Sequence, residues 1–128
     1  MIALLDPSDA KRDSCLRELE QMAGGDLVTT EAVITETSYM LEFSRSAQIG
    51  LQDFVHSGRI RVEAIARTER ARIMALMQKY SDLPMDYADA TLVLLAERMQ
   101  CNRVFTLDRR DFGAYRLGKR RFELLPQR

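Results

Sequence analysis

Apolar side chains recur at helical spacing over several stretches of the chain, and short alternating runs lie between them. Leu16, Leu19 and Met22 step by three behind a cap at Ser8 or Asp9, with Gly24-Gly25 as the stop. Leu27 to Thr29 then reads as a short strand. From Thr30, an N-cap candidate, Val33, Glu36, Met40 and Phe43 advance by three, four and three, a stripe that turns Glu36 inward. Ser46 caps a further helix carrying Ile49, Phe54 and Val55 and ending near Gly58. Arg59 to Ile65 alternates, with Ile60 and Val62 on the apolar side, which predicts a strand. Thr68 opens a helix with Ile73, Met74 and Met77 on one side, and Ser81 to Pro84 makes the break before the next.

After Pro84 the positions Asp86, Asp89, Val93, Ala96 and Met99 step by three, four, three and three along one helical face. Val104 to Thr106 reads as a buried strand ending at Leu107-Asp108, which puts Asp108 where open α/β sheets bind ligands. Asp111-Phe112-Gly113 is a turn or short helix, and Arg121 to Leu125 is the last strand, reached through the turn at Leu117-Gly118-Lys119. Alternating strands and helices imply parallel strands joined by right-handed crossovers, hence a three-layer α/β/α sandwich over residues 1–128.

At 128 residues and 46% hydrophobic, the chain closes one core without disulfides or a structural metal. Cys15 and Cys101 have no metal-ligand spacing and read as reduced, packed thiols of a cytoplasmic protein. The seven methionines are most simply core filler. The longest strongly apolar run, Ala90 to Ala96, falls far short of the roughly 18 residues that span a bilayer. Net charge is zero, but residues 103–128 hold eight Lys/Arg against three Asp/Glu, so a basic tail is balanced by an acidic remainder.

Three acids change the picture: Glu36, Asp89 and Asp108 each stand where the surrounding pattern calls for an apolar side chain. A carboxylate facing a core costs several kcal/mol unless a cation or hydrogen-bond donors offset it, so a shared metal ion is the economical explanation. Asp86 admits two readings, as helix N-cap and as a fourth member of the site. Asp6, in Asp-Pro-Ser-Asp, reads as turn and cap chemistry. The single His56 sits in a polar stretch and reads as a surface or helix-end residue, and neither G-x-S-x-G nor a Gly-rich phosphate loop occurs. Acids alone suit a hard cation, Mg²⁺ or Mn²⁺, which activates water for attack on a phosphodiester. Arg109, Arg110, Arg116, Lys119, Arg120 and Arg121, six cations within thirteen residues, then serve to hold a nucleic-acid backbone.

Four segments together resemble the PIN-domain ribonucleases of the VapC type, the toxins of prokaryotic type II toxin-antitoxin pairs. They are IALLDPSDA, LVTTEAVITETSYML, LPMDYADATLVLLAER and CNRVFTLDRRDFGAYR, in the family's order and at its usual separations, so the likeness spans essentially the whole chain. It implies a small α/β/α domain around a parallel sheet, with acids converging on Mg²⁺ or Mn²⁺ to cleave RNA. Glu36, Asp89 and Asp108 match the family's second, third and fourth acids, with Asp86 as an additional nearby acid and Thr106 and Asp111 as supports. A homodimer held inactive by a cognate antitoxin is implied as well. The family pattern has a first strand ending in Asp-Thr or Asp-Ser ahead of the IALLD segment, and here Met1 comes after that point. The first central strand and its Asp are therefore expected to be missing. Two other readings compete: a catalytically impaired PIN-like module that binds RNA or antitoxin, and a receiver-type phospho-acceptor domain. The latter lacks a Lys after a late strand and an acidic pair ending a first one.

Overall fold

The computed structural model describes residues 2–3, 27–83, 85–105 and 109–125. Its strands are β1 (Ile2–Ala3), β2 (Leu27–Thr29), β3 (Ile60–Val62), β4 (Arg103–Phe105), β5 (Arg116–Leu117), β6 (Arg120–Arg121) and β7 (Glu123–Leu125). Its helices are α1 (Glu31–Met40), α2 (Arg45–His56), α3 (Arg70–Lys79), α4 (Tyr87–Met99) and α5 (Arg109–Ala114), with a 3₁₀ turn at Arg67–Glu69. Five strands form one parallel sheet in the order β3-β2-β1-β4-β7, and β5 and β6 make a separate antiparallel hairpin. The chain is thus α/β with a parallel sheet. The helix expected from Ser8 or Asp9, Asp6 and Cys15 lie outside the described residues.

The centre of the sheet corrects one expectation. Ile2–Ala3 occupies the central position, with Ile2 opposite both Val28 on β2 and Val104 on β4, and Ala3 opposite Phe105. An interior parallel strand pairs along both of its edges, and Ile2–Ala3 does so with β2 and β4. On β2 the side chains alternate: Leu27 joins a cluster with Ile34, Leu41, Leu51 and Ile60, while Val28 joins a larger one built on α4. Ala88 to Ala96 are buried without interruption, so α4 is enclosed on every side and packs against α1 and α3.

Local capping chemistry sets the helix starts. Thr30 Oγ1 accepts from Val33 N at 3.4 Å, and Asp86 Oδ1 accepts from Asp89 N at 2.8 Å, as N-cap geometry requires. Ser44, not Ser46, caps α2: its Oγ accepts from Ala47 N at 3.2 Å, and Ser46 merely bonds the Ser44 hydroxyl. The α3 region begins with the 3₁₀ turn around Thr68, where Glu69 accepts from Ala66 N at 2.9 Å, and the α-helix proper starts at Arg70. At the other end of α4, Gln100 adopts a left-handed φ of 53° and its side-chain amide donates to Glu97 O at 2.9 Å, offsetting the strain.

Several apolar stripes fall differently from their spacing. On α1 the buried set is Val33, Ile34 and Thr37, and Phe43, beyond the helix end, is 54% exposed. On α3 it is Ile73 and Leu76, followed by Tyr80, whereas Met74 is 63% exposed, so the methionines are not uniformly core filler. The strand expected over Arg59 to Ile65 contracts to Ile60–Val62. The expected last strand splits: Arg120–Arg121 belongs to the hairpin and Glu123–Leu125 to the sheet, with buried Phe122 between them. Asn102 holds this corner, donating through Nδ2 to Arg121 O at 3.2 Å and accepting from Glu123 N at 2.7 Å. Cys101 is a free, partly buried thiol, and His56 is exposed at the end of α2.

Candidate metal centre

The N-terminal turn of α4 presents two acids. Asp86 is the N-cap and Asp89 the third residue inside the helix, both places where the exposed N–H groups and the helix dipole favour a carboxylate. Asp89 is 9% exposed and Asp86 is exposed, so the pair runs from the interior to the surface. Glu36 arrives from the second turn of α1, half-buried beside the stripe headed by Val33. One carboxylate oxygen from each of Glu36, Asp86 and Asp89 lies within 4.8 Å of the others. An all-oxygen donor set drawn from two helices, with its deepest member shielded from solvent, suits a hard divalent cation.

Two hydroxyls hold this geometry. Thr30, which caps α1, meets Thr91 of α4 through their Oγ1 atoms at 2.8 Å, and Thr91 also donates to Ala88 O at 2.7 Å. That buried contact ties the start of α1 to the second turn of α4, and so sets Glu36 relative to the two aspartates. On the other side of the cluster, Tyr115 Oη donates to Asp89 Oδ2 at 3.1 Å. Spacing reveals neither contact, because the partners stand 61 and 26 residues apart. The one local signal is that Thr91 is a hydroxyl residue in the apolar run from Ala90 to Ala96. A groove of about 580 Å³ opens from the cluster, lined by Glu36 and Asp86 together with Tyr39, Tyr87 and small side chains.

Of the acids singled out from the sequence, Glu36, Asp86 and Asp89 come together. Asp86 combines its two readings, capping α4 through Oδ1 while its carboxylate belongs to the cluster. Asp108 and Thr106 lie outside the described residues, and Arg109, Arg110 and Asp111 fall in the first turn of α5 with only their backbone described. Lys119, Arg120 and Arg121 are exposed on the β5-β6 hairpin. Arg116, directly opposite Arg121, turns its guanidinium back to Gly113 O and Tyr115 O at 2.8 and 2.9 Å, which braces the hairpin.

Comparison with known proteins bears on the family of the chain. The chain is similar to Ribonuclease VapC26 of Mycobacterium tuberculosis (strain H37Rv), at 28% identity over 132 aligned positions that cover 94% of this chain and 89% of that protein. The family model described as PIN domain matches residues 1–117, a span that contains β1, the acid cluster and Tyr115. With most of its length under that match, the chain belongs to the PIN domain family.

Proposed function

We propose that this chain is a metal-dependent endoribonuclease that hydrolyses RNA phosphodiester bonds as the toxin of a toxin-antitoxin pair. The convergence of Glu36, Asp86 and Asp89 carries this reading, because clustering like charges costs stability unless a cation answers them. Glu36, Asp89 and Asp108 act as the catalytic ligands, with Asp86 beside them and Thr106 and Asp111 as supports, in a three-layer α/β/α sandwich over residues 1–128. A bound Mg²⁺ or Mn²⁺ ion supplies an activated water and neutralises the charge that grows on the scissile phosphate.

The chain's own residues do the rest. Asp86 fixes the first turn of α4 through Asp89 N, so the two aspartates keep one spacing as substrate enters. Lys119, Arg120 and Arg121, with Arg109, Arg110 and Arg116, hold the RNA backbone, and Arg116 also keeps the hairpin in shape; such contacts position a strand without reading its bases. The likeness to a VapC ribonuclease supports an RNA substrate and a cognate antitoxin, and a cytoplasmic homodimer is part of the same proposal. Among the described residues no helix is long and apolar enough to cross a membrane.

Cleavage of RNA in Mn²⁺ buffer by the wild type and by Asp89→Asn tests the proposal. Loss of one ligand of the cation that offsets transition-state charge, at a cost of roughly 3 kcal/mol, lowers the rate about 100-fold. Unchanged cleavage by Asp89→Asn would refute the assignment. The exposed hairpin cations also favour a second reading, a non-catalytic RNA-binding module. Salt-sensitive RNA binding with no Mn²⁺ uptake in calorimetry selects that alternative.

A further inference from the structure

Tyr115 is fully buried, yet its hydroxyl reaches the deepest acid of the cluster, 3.1 Å from Asp89 Oδ2. A buried phenol needs a partner, but it need not choose a carboxylate assigned to a metal. The ring that carries it has little room to move. Tyr80 packs on it at 5.0 Å with a 60° tilt and Phe112 edge-on at 5.1 Å, and Phe112 in turn rests on Phe122 at 5.8 Å. The backbone beside it is held as well: Arg116 N donates to Tyr80 Oη at 3.0 Å and the Arg116 guanidinium to Tyr115 O at 2.9 Å. Asp89 is thereby gripped at two points, its backbone N by Asp86 Oδ1 and its carboxylate by Tyr115.

We propose that Tyr115 is a positioning residue of the metal centre: its phenol sets the Asp89 carboxylate in the orientation from which it ligates a divalent cation. The inference rests on the metal-centre reading above. A carboxylate oriented before the ion arrives has less rotational freedom to lose on ligation, and partners of this kind are worth about 10-fold or more in metal affinity. The same aromatic cluster carries the basic hairpin. Removing the hydroxyl while keeping the ring therefore leaves the RNA-contacting surface in place.

Calorimetric Mn²⁺ titration of the wild type, Tyr115→Phe, Phe112→Leu and Asp89→Asn tests this, alongside melting curves and RNA affinity measured without metal. Tyr115→Phe weakens Mn²⁺ binding about 10-fold and leaves metal-free RNA affinity unchanged. Phe112→Leu, which loosens the same packing but leaves the hydroxyl in place, lowers Tm at least as far and weakens Mn²⁺ binding by less than Tyr115→Phe does. Wild-type affinity in Tyr115→Phe, with binding lost in Asp89→Asn, overturns the positioning role and leaves the metal centre standing. Undiminished Mn²⁺ binding by Asp89→Asn overturns the metal centre itself. A Tyr115→Phe chain that does not fold, or a Phe112→Leu chain that loses as much Mn²⁺ affinity, reduces Tyr115 to core packing and also overturns the proposal.

Discussion

At its C-terminal end α4 offers Glu97 to Arg72, which donates through Nε at 2.9 Å and Nη2 at 2.5 Å, and offers Arg98 to Glu69 at 2.7 Å. At its N-terminal end Asp86 and Asp89 instead gather with Glu36, a third acid, within 4.8 Å. The arginine-bonded end joins elements: Arg98 also donates to Ala64 O at 2.9 Å, and Glu69 accepts from Ala66 N, so the approach to α3 is pinned to the last turn of α4. Glu69 and Arg72 are shifted in the directions that such pairing dictates. The Ala66 N–H and the Arg98 guanidinium hold the Glu69 carboxyl below its ordinary value of 4.5, and the hydrogen bond to Glu97 raises Arg72. Carboxylates that meet guanidinium groups add to stability, whereas carboxylates that meet one another subtract from it. The fold keeps such a cost where function requires it.

The largest test of that contrast is metal itself. Mn²⁺ at about 100 times its Kd adds about 2.7 kcal/mol to unfolding free energy, seen as a raised Tm that a chelator reverses. An equal rise in an Asp89→Asn, Glu36→Gln double variant would place the ion elsewhere and break the comparison. Next in size is Thr91→Val, which removes the 2.8 Å contact between Thr30 and Thr91 and leaves a buried hydroxyl short of its partner. Urea unfolding should show a loss of about 1 to 2 kcal/mol, with weakened Mn²⁺ binding because α1 is no longer tied to α4. No change in Mn²⁺ affinity would mean that Glu36 does not depend on that tie.

The smallest effect belongs to the arginine-bonded end. Glu69→Gln should cost up to about 1 kcal/mol at neutral pH, since the pair is partly exposed and screened. A carboxyl lowered by folding stabilises fully above its ordinary value of 4.5 and ceases to do so as pH falls through the lower folded value. The difference between wild type and Glu69→Gln should therefore persist from neutral pH down to about 4.5 and vanish in stronger acid. Denaturant midpoints measured across that range check it, and Mn²⁺ affinity should not move.

Helix starts were the most legible part of the fold. Thr30 and Asp86 cap within three residues of their partners, so the signal is contained in a few neighbouring letters. Ser44 and Ser46 show the limit: both are good caps two residues apart, and only the path of the chain after Leu41 decides between them. Met74 fits the apolar spacing of α3, yet the helix is rotated so that Ile73 and Leu76 face α4 and Met74 faces solvent. Of the site, Glu36 and Asp89 were recognisable as acids on apolar stripes. Tyr115 was not, since an aromatic residue near Phe112 reads as core from composition alone.

Residues a turn or less apart determine caps, periodicity and the positions of the acids, because these depend on three- and four-residue spacing. Three features needed the folded chain: Ile2–Ala3 at the centre of the sheet, the distances at which Glu36, Asp86 and Asp89 meet, and the reach of Tyr115 to Asp89. A two-residue strand is too short to carry a period, and contacts between distant segments are set by how helices pack, which no local pattern encodes.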